Sequence, residues 1–312
     1  MSSALVIAMP GNERFASEIA AALGTETGQI ETRHFPDGES YVRFRSDVRD
    51  RELVMVATLD RPDCKYLPLH FAAAAARELG ASRVGLVAPY LAYMRQDRRF
   101  HEGEAVTSRT FARLLSSAFD WLVTVDPHLH RTGSLSEIYS IPAKAVHAAP
   151  LISDWIKANV VRPVIVGPDA ESEQWVSNVA ARTGAPYRVL SKERHGDRDV
   201  EISVPDLDDV RDRTPVLVDD IVSSGRTMIE AVRQLRARGL PAPVCVAVHA
   251  LFADASYRAL QDLGATVVST DTVAHPSNTI ESAGVVAECV KTLRPVPTRP
   301  EPERGTVPRP HR

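Results

Sequence analysis

At 312 residues, with 44% hydrophobic and 25% charged residues, the chain has the composition of a globular protein with enough apolar residues for two medium domains. A formal charge of −3 argues against a general nucleic-acid surface, and the longest apolar stretch, Val244 to Phe252 with His249 inside it, is far too short to cross a membrane. Three scattered cysteines, Cys64, Cys245 and Cys289, suggest neither a disulfide framework nor a metal knuckle, so a reducing cytoplasm is the default.

In chain order, Ala4 to Met9 reads as a first strand rather than a signal peptide, since no basic segment precedes it, and Glu13 to Leu23 as a helix ending at Gly24. Gln29 to Phe35 is extended and runs into Phe35-Pro36-Asp37-Gly38-Glu39, after which Tyr41 to Phe44 continues as a strand. Pro-Asp-Gly is a turn signal because proline fixes one φ and glycine accepts a positive one, so a plain hairpin explains it by itself. Leu53 to Ala57 is a buried strand. An irregular stretch around Arg61-Pro62-Asp63 leads to a helix over Leu67 to Leu79, stopped by Gly80. Its five alanines, Ala72 to Ala76, suit close packing against a sheet or a partner subunit. Val84 to Ala88 is a strand that empties, between aromatics, into Arg95-Gln96-Asp97-Arg98-Arg99, a cationic mouth suited to a polyphosphate and a stacked base; a solvated charge run is the plainer reading.

Val106 to Phe119 is a helix with Thr107 or Ser108 as its cap. Trp121 to Val125 is a strand ending in Asp126-Pro127-His128-Leu129-His130. On an extended segment His128 and His130 point the same way, so one of them could ligate a metal, while a hydrogen-bonded structural histidine is equally open. A hand-over between domains falls near Val146 to Leu151. Val164 to Val166 is a strand ending in Gly167-Pro168-Asp169, with a helix from about Glu171 to Thr183 and a strand over Pro186 to Leu190. The polar stretch Ser191 to Asp199, holding Lys192 and Arg194, precedes a β segment from Val200 to Val204; it reads as a mobile cationic loop or a solvated hairpin tip.

The chain is organised around Val216 to Asp219, a short β-branched strand expected to end at its carboxylates, and the tight loop Ser223 to Thr227 that follows. From Ile229 the apolar residues Ile229, Val232 and Leu235 fall at helical spacing, with Gly239 as C-terminal cap, so the loop opens onto a helix N-terminus that attracts anions. Hydroxyls of Ser223, Ser224 and Thr227 can donate to phosphate oxygens, Gly225 lets backbone approach, and Asp219 and Asp220 can accept from two vicinal ribose hydroxyls. An ordinary strand-turn-helix corner is the plainer alternative. The Trp121 to Ser134 segment repeats this outline, which suggests a duplicated βαβ-type unit. Val244 to Leu251 and Ala265 to Ser269 are strands around a helix over Ala255 to Leu263, and the proline-rich tail from Arg294 is expected to be disordered.

The loop resembles the phosphoribosyl pyrophosphate (PRPP) loop of type I phosphoribosyltransferases and ribose-phosphate pyrophosphokinases. Phe35 to Glu39, Tyr93 to Arg98, Thr124 to His128, Gly167 to Asp169, Lys192 to Arg194 and the loop together, in that order, resemble the ribose-phosphate pyrophosphokinase family over about residues 4 to 290, with Ser223 and the short Arg98 to Glu104 connection closest to its archaeal-type branch. The resemblance implies an α/β fold of two tandem phosphoribosyltransferase type I-like domains, each a mainly parallel sheet flanked by helices. They would span 1–147 on the nucleotide side and 148–293 on the ribose 5-phosphate side, with a tail over 294–312. It implies transfer of the diphosphoryl group of ATP to the C1 hydroxyl of ribose 5-phosphate, with Mg²⁺ as cofactor, in a cytoplasmic homo-oligomer that engages neither nucleic acid nor membrane.

By the same resemblance, Phe35, Asp37, Gly38 and Glu39 would hold adenine in a neighbouring subunit's site, and Arg95 and Gln96 the triphosphate. His128 and Asp169 would serve Mg²⁺. Lys192 and Arg194 would be catalytic cations, and Arg194, Asp219, Asp220, Ser223, Ser224, Gly225, Arg226 and Thr227 would hold ribose 5-phosphate. Arg226 stands where the family has a small residue, so it either adds a phosphate contact or crowds the loop. A PRPP-consuming phosphoribosyltransferase and a non-catalytic regulatory paralogue are the alternatives.

Overall fold

The computed structural model describes residues 4–129, 133–194, 200–203, 208–253 and 255–294, and across them the chain lays down one succession of elements twice. The first copy runs β1 (Leu5–Ala8), α1 (Glu13–Leu23), β2 (Glu26–Gly28), β3 (Ile30–His34), β4 (Ser40–Phe44), β5 (Glu52–Val56), α2 (Pro62–Glu78), β6 (Arg83–Ala88), α3 (Thr107–Ala118), β7 (Trp121–Val125), β8 (Ala143–Val146) and α4 (Ala149–Asn159). The second runs β9 (Pro163–Gly167), α5 (Glu173–Thr183), β10 (Tyr187–Val189), β11 (Ser191–Arg194), β12 (Val200–Ser203), β13 (Thr214–Val222), α6 (Arg226–Ala237), β14 (Val244–Ala250), α7 (Ser256–Asp262), β15 (Thr266–Thr270), β16 (Asn278–Ile280) and α8 (Ala283–Lys291). Each copy forms a six-stranded parallel sheet, in the order β2-β1-β5-β6-β7-β8 and β10-β9-β13-β14-β15-β16, and each carries one antiparallel hairpin, β3-β4 or β11-β12.

Successive strand side chains face opposite sides of a sheet, and here both sides are apolar. From the first sheet Val6, Val54, Val56, Val87 and Val123 face one way and Leu5, Ile7, Leu53, Met55 and Leu86 the other. From the second, Ile165, Val216, Val218, Val246 and Val248 face the first sheet, and Val164, Val166, Leu217 and Cys245 face away. Five layers result: α2 and α3 cover the outside of the first sheet, α6 and α7 the outside of the second, and α1, α4, α5 and α8 fill the space between them in one shared core. Within that layer α1 packs on α8 and α4 on α5.

The repeat goes down to single devices. Asp126, just past β7, accepts the N–H of Ala148 at the start of α4 (2.7 Å), and Asp271, just past β15, accepts that of Ser282 at the start of α8 (2.9 Å). A carboxylate at a helix N-terminus satisfies an otherwise unpaired donor and meets the positive end of the helix dipole. The duplication thus covers a whole domain, and the strand order pairs β13 with β5 rather than with the Trp121 strand.

Two local readings change. Helix α2 starts at Pro62, where sequence alone suggested an irregular stretch; proline in the first turn sacrifices no hydrogen bond. Of its alanines, Ala72, Ala73 and Ala76 are buried on the first sheet. Helix α3 has no side-chain cap from Thr107 or Ser108: Ser108 is buried and its backbone N–H donates to the Gln96 carbonyl (3.3 Å), so the preceding loop does the capping.

The first sheet is tightest where Gly85 lies opposite Trp121 in the β6-β7 ladder. A Cβ on Gly85 would come within 1.8 Å of the indole. Trp121 Nε1 donates to buried Glu52 (3.3 Å), which also meets Arg83 and Arg294. Among the described residues no helix is long and apolar enough to cross a membrane.

Candidate functional site

Strand β13 outruns its neighbour on one side. Its ladder with β9 stops at Leu217, but pairing with β14 continues to Val222 opposite Ala250. Asp219 and Asp220 therefore lie inside the strand rather than at its end as expected, because the apolar run of β14 carries the ladder past them. Where β13 parts from β9 the strand order reverses, and a crevice opens at the carboxyl ends of the strands. The carboxyl end of the first sheet closes it from the other side. The cleft has a volume of about 1190 Å³ and is lined by Asp169, Ala170, Ser172, Glu173, Asp219 and Asp220 from the second domain and by Arg95, Asp126, Pro127 and His128 from the first.

A polar contact joins its walls: His128 Nδ1 lies 2.7 Å from Asp220 Oδ2. A metal contact by His128 would thus use Nε2. Burial, with the carboxylates of Asp220 and Asp169 nearby, pushes the Asp219 carboxyl well above the usual range, although the Asp220 N–H donates to it (3.0 Å). Asp126 holds a positive φ of 31°, unusual outside glycine. Its carboxylate meets His147 Nδ1 at 2.9 Å, and that hydrogen bond raises the His147 pKa. Among the described residues no three side chains of His, Cys, Asp or Glu converge in a metal-binding set. The crowding of Asp169, Asp219 and Asp220 around one opening is nonetheless an environment that a divalent cation relieves.

The loop after β13 is fixed from behind. Ser223 O accepts from Ala253 N (2.9 Å) and from Ser256 Oγ (3.3 Å), and Gly225, at φ 67°, precedes α6, whose first two residues are Arg226 and Thr227. A Cβ on Gly225 would stand 2.9 Å from Ser256 Cβ, so positive φ and close approach both require glycine. Ser224 and Arg226 are exposed, so Arg226 does not crowd the loop core.

Other expected residues lie elsewhere. Phe35, Asp37, Gly38 and Glu39 form the tip of the β3-β4 hairpin, closed by Phe35 N to Glu39 O (2.8 Å) and by Glu39 N to Asp37 Oδ1 (3.2 Å); they do not line the cleft. Phe35 is exposed, with the Arg33 guanidinium 4.6 Å over its ring. Gln96, next to cleft-lining Arg95, lies outside the lining and its carbonyl receives the start of α3. Lys192 and Arg194 sit on β11, opposite Ile202 and Val200 of β12. His130, residues 195–199 and the tail from 295 lie outside the described residues. Sequence reading missed Trp175 and Asn178, which line the cleft from α5, and Ser256 behind the loop. A helical face and a lone serine give no local signal of a site.

Residues 4–118 match the family described as the N-terminal domain of ribose phosphate pyrophosphokinase, and residues 134–284 the phosphoribosyl transferase domain. The ribose-phosphate pyrophosphokinase of Methanopyrus kandleri is 36% identical, covering 93% of this chain and 99% of its own. That of Saccharolobus solfataricus is 35% identical over 78% of this chain and 84% of its own. The fold matches the crystal structure of phosphoribosylpyrophosphate synthetase from Mycobacterium smegmatis with a TM-score of 0.80, at 23% identity, covering 94% of this chain and 99% of that one.

Proposed function

Because the chain belongs to the ribose-phosphate pyrophosphokinase family, we propose that it transfers the diphosphoryl group of ATP to the C1 hydroxyl of ribose 5-phosphate, giving PRPP and AMP. The observation that carries this reading is the cleft in which Arg95 and His128 of one domain face Asp169, Asp219 and Asp220 of the other. In the reaction the C1 oxygen bonds to the β-phosphorus, the bond from that phosphorus to the α,β-bridging oxygen breaks, and the hydroxyl proton is released. Such a transfer needs in-line placement and neutralisation of phosphate charge more than covalent chemistry.

Each group then has a task. Asp219 and Asp220 accept from ribose hydroxyls, and Ser223, Ser224, Gly225, Arg226 and Thr227 take the 5-phosphate at the start of α6, with Arg194 assisting. Arg95 and Gln96 hold the triphosphate, while Lys192 and Arg194 neutralise charge on the moving group. His128 and Asp169 would hold Mg²⁺, which, when bound, offsets phosphate charge beside the carboxylates. The hairpin tip with Phe35, Asp37, Gly38 and Glu39 stands outside its own cleft, which supports a homo-oligomer in which it clasps the adenine bound by a neighbour. Free thiols at Cys64, Cys245 and Cys289 support a reducing, cytoplasmic setting.

Purified protein with ATP, Mg²⁺ and ribose 5-phosphate is expected to release AMP only when the sugar phosphate is present. Nucleotide binding without AMP release would instead mark a regulatory paralogue.

The raised Asp219 carboxyl has a consequence for stability. A carboxyl whose pKa is higher in the fold than in the unfolded chain, near 4, binds more protons when folded, so its contribution becomes less favourable as pH rises through the two values. In EDTA, Asp219→Asn is expected to raise Tm at pH 7.5 by a few degrees, on the order of 1 kcal/mol, and to leave it nearly unchanged at pH 4. Scanning calorimetry at both pH values checks this, and an equal gain at both would remove the like-charge explanation.

A further inference from the structure

The last polar residue of β14 has no part in the chemistry proposed above. His249 is 1% exposed, and its imidazole crosses from the second domain to the first. Nε2 lies 3.1 Å from the carbonyl oxygen of Val125 and 3.3 Å from that of Asp126, at the end of β7, while Nδ1 lies 2.8 Å from Thr272 Oγ1. Two carbonyl oxygens can only be met by a proton, so Nε2 carries it. Burial keeps the ring neutral by lowering its pKa, which leaves Nδ1 to accept from the Thr272 hydroxyl. Thr272 in turn receives Thr58 Oγ1 on its own carbonyl (2.6 Å), so the hydrogen bonds return to the first domain.

The position of this ring follows from the duplication. Gly85 and Val244 occupy matching places, opposite Val54 and Val216. Five residues on from each stand Tyr90 and His249, whose rings meet with centroids 4.9 Å apart across the boundary between the two domains. The backbone that His249 holds includes a left-handed residue of the cleft wall. Asp126 keeps its positive φ, a conformation that persists only where surrounding contacts over-determine it. Two residues later comes His128, paired with Asp220 across the opening.

We propose that His249 is a positioning residue: by donating Nε2–H to the carbonyls of Val125 and Asp126, it fixes the backbone that carries His128 and so sets the spacing between the two walls of the cleft. The role in turnover rests on the diphosphoryl transfer proposed above; the geometric role does not. A leucine would fill the same space without the donor, whereas a glutamine side chain brings an amide N–H to about the place of Nε2.

The test compares His249→Leu with His249→Gln in the full-length protein. His249→Leu is expected to lower kcat about 30- to 100-fold, as misplacement by a fraction of an ångström to one ångström does, with KM for each substrate changed by less than about threefold. His249→Gln is expected to recover kcat to within about fivefold of the parent. In nitrogen-labelled protein without substrates, the ring signals of His128, identified by their loss in His128→Ala, should shift in His249→Leu and stay in place in His249→Gln. Unshifted His128 signals in His249→Leu would overturn the proposal, as would a kcat loss shared equally by both variants. If the parent protein releases no AMP, the transferase reading fails while the ring signals still decide whether His249 holds this wall.

Discussion

Lys192→Ala is expected to lower kcat by about two to three orders of magnitude while the dissociation constant for ATP changes by less than about threefold. Lys192 stands on β11, in the hairpin that the second domain inserts between β10 and β13, the strand whose carboxylates line the cleft. Charge accumulates on the oxygens of the moving diphosphoryl group chiefly in the transition state, so a cation meeting it there supports turnover more than binding. Losing such a group costs on the order of 3 to 4 kcal/mol of barrier. Steady-state kinetics together with calorimetric ATP titration separates the two effects. Turnover within a few-fold of the parent would remove Lys192 from the mechanism.

The largest effect on stability is expected at Gly85, far from the chemistry. Gly85→Ala places a methyl group 1.8 to 2.4 Å from three atoms of the Trp121 indole, in the middle of a parallel sheet where neither strand can retreat. Overpacking of this severity costs about 3 kcal/mol or more, a large share of the roughly 5 to 15 kcal/mol by which a domain is stable. Denaturant unfolding of Gly85→Ala, Trp121→Leu and the double variant measures it. The double variant should be markedly less destabilised than the sum of the single changes, because removing the indole relieves the clash. Simple additivity would show that the two residues do not compete for the same space.

Much of the architecture was legible because buried parallel strands write themselves as short apolar runs: Leu53 to Val56, Trp121 to Val125, Val216 to Val218 and Val244 to Val248 stand out without help. What could not be read locally was decided by neighbours. Asp219 and Asp220 are poor strand formers, yet pairing with β14 on both sides of Asp220 keeps them inside β13. Pro62, read as part of an irregular stretch, is a helix start. The true partner of the organising strand was hidden because the first copy's counterpart, Ala57-Thr58-Leu59-Asp60-Arg61-Pro62-Asp63, lacks the paired acids and the glycine. Of the expected site residues, the acidic strand and Arg95 stood out by residue type, Asp169 came in through the family resemblance and His128 was open between a ligand and a structural histidine; all of them line the cleft. His249 and Ser256 escaped as single polar residues whose partners are 123 or 124 and 33 residues away along the chain.

The layer of helices between the sheets limits how the molecule can move. Valines from both sheets and the inner faces of α1, α4, α5 and α8 belong to one apolar interior, so swinging one half away from the other like a jaw would wet it. At roughly 25 cal/mol for each Å² exposed, even a few hundred Å² would cost several kcal/mol. A hinge between the two halves is therefore disfavoured, and the halves keep a fixed stance.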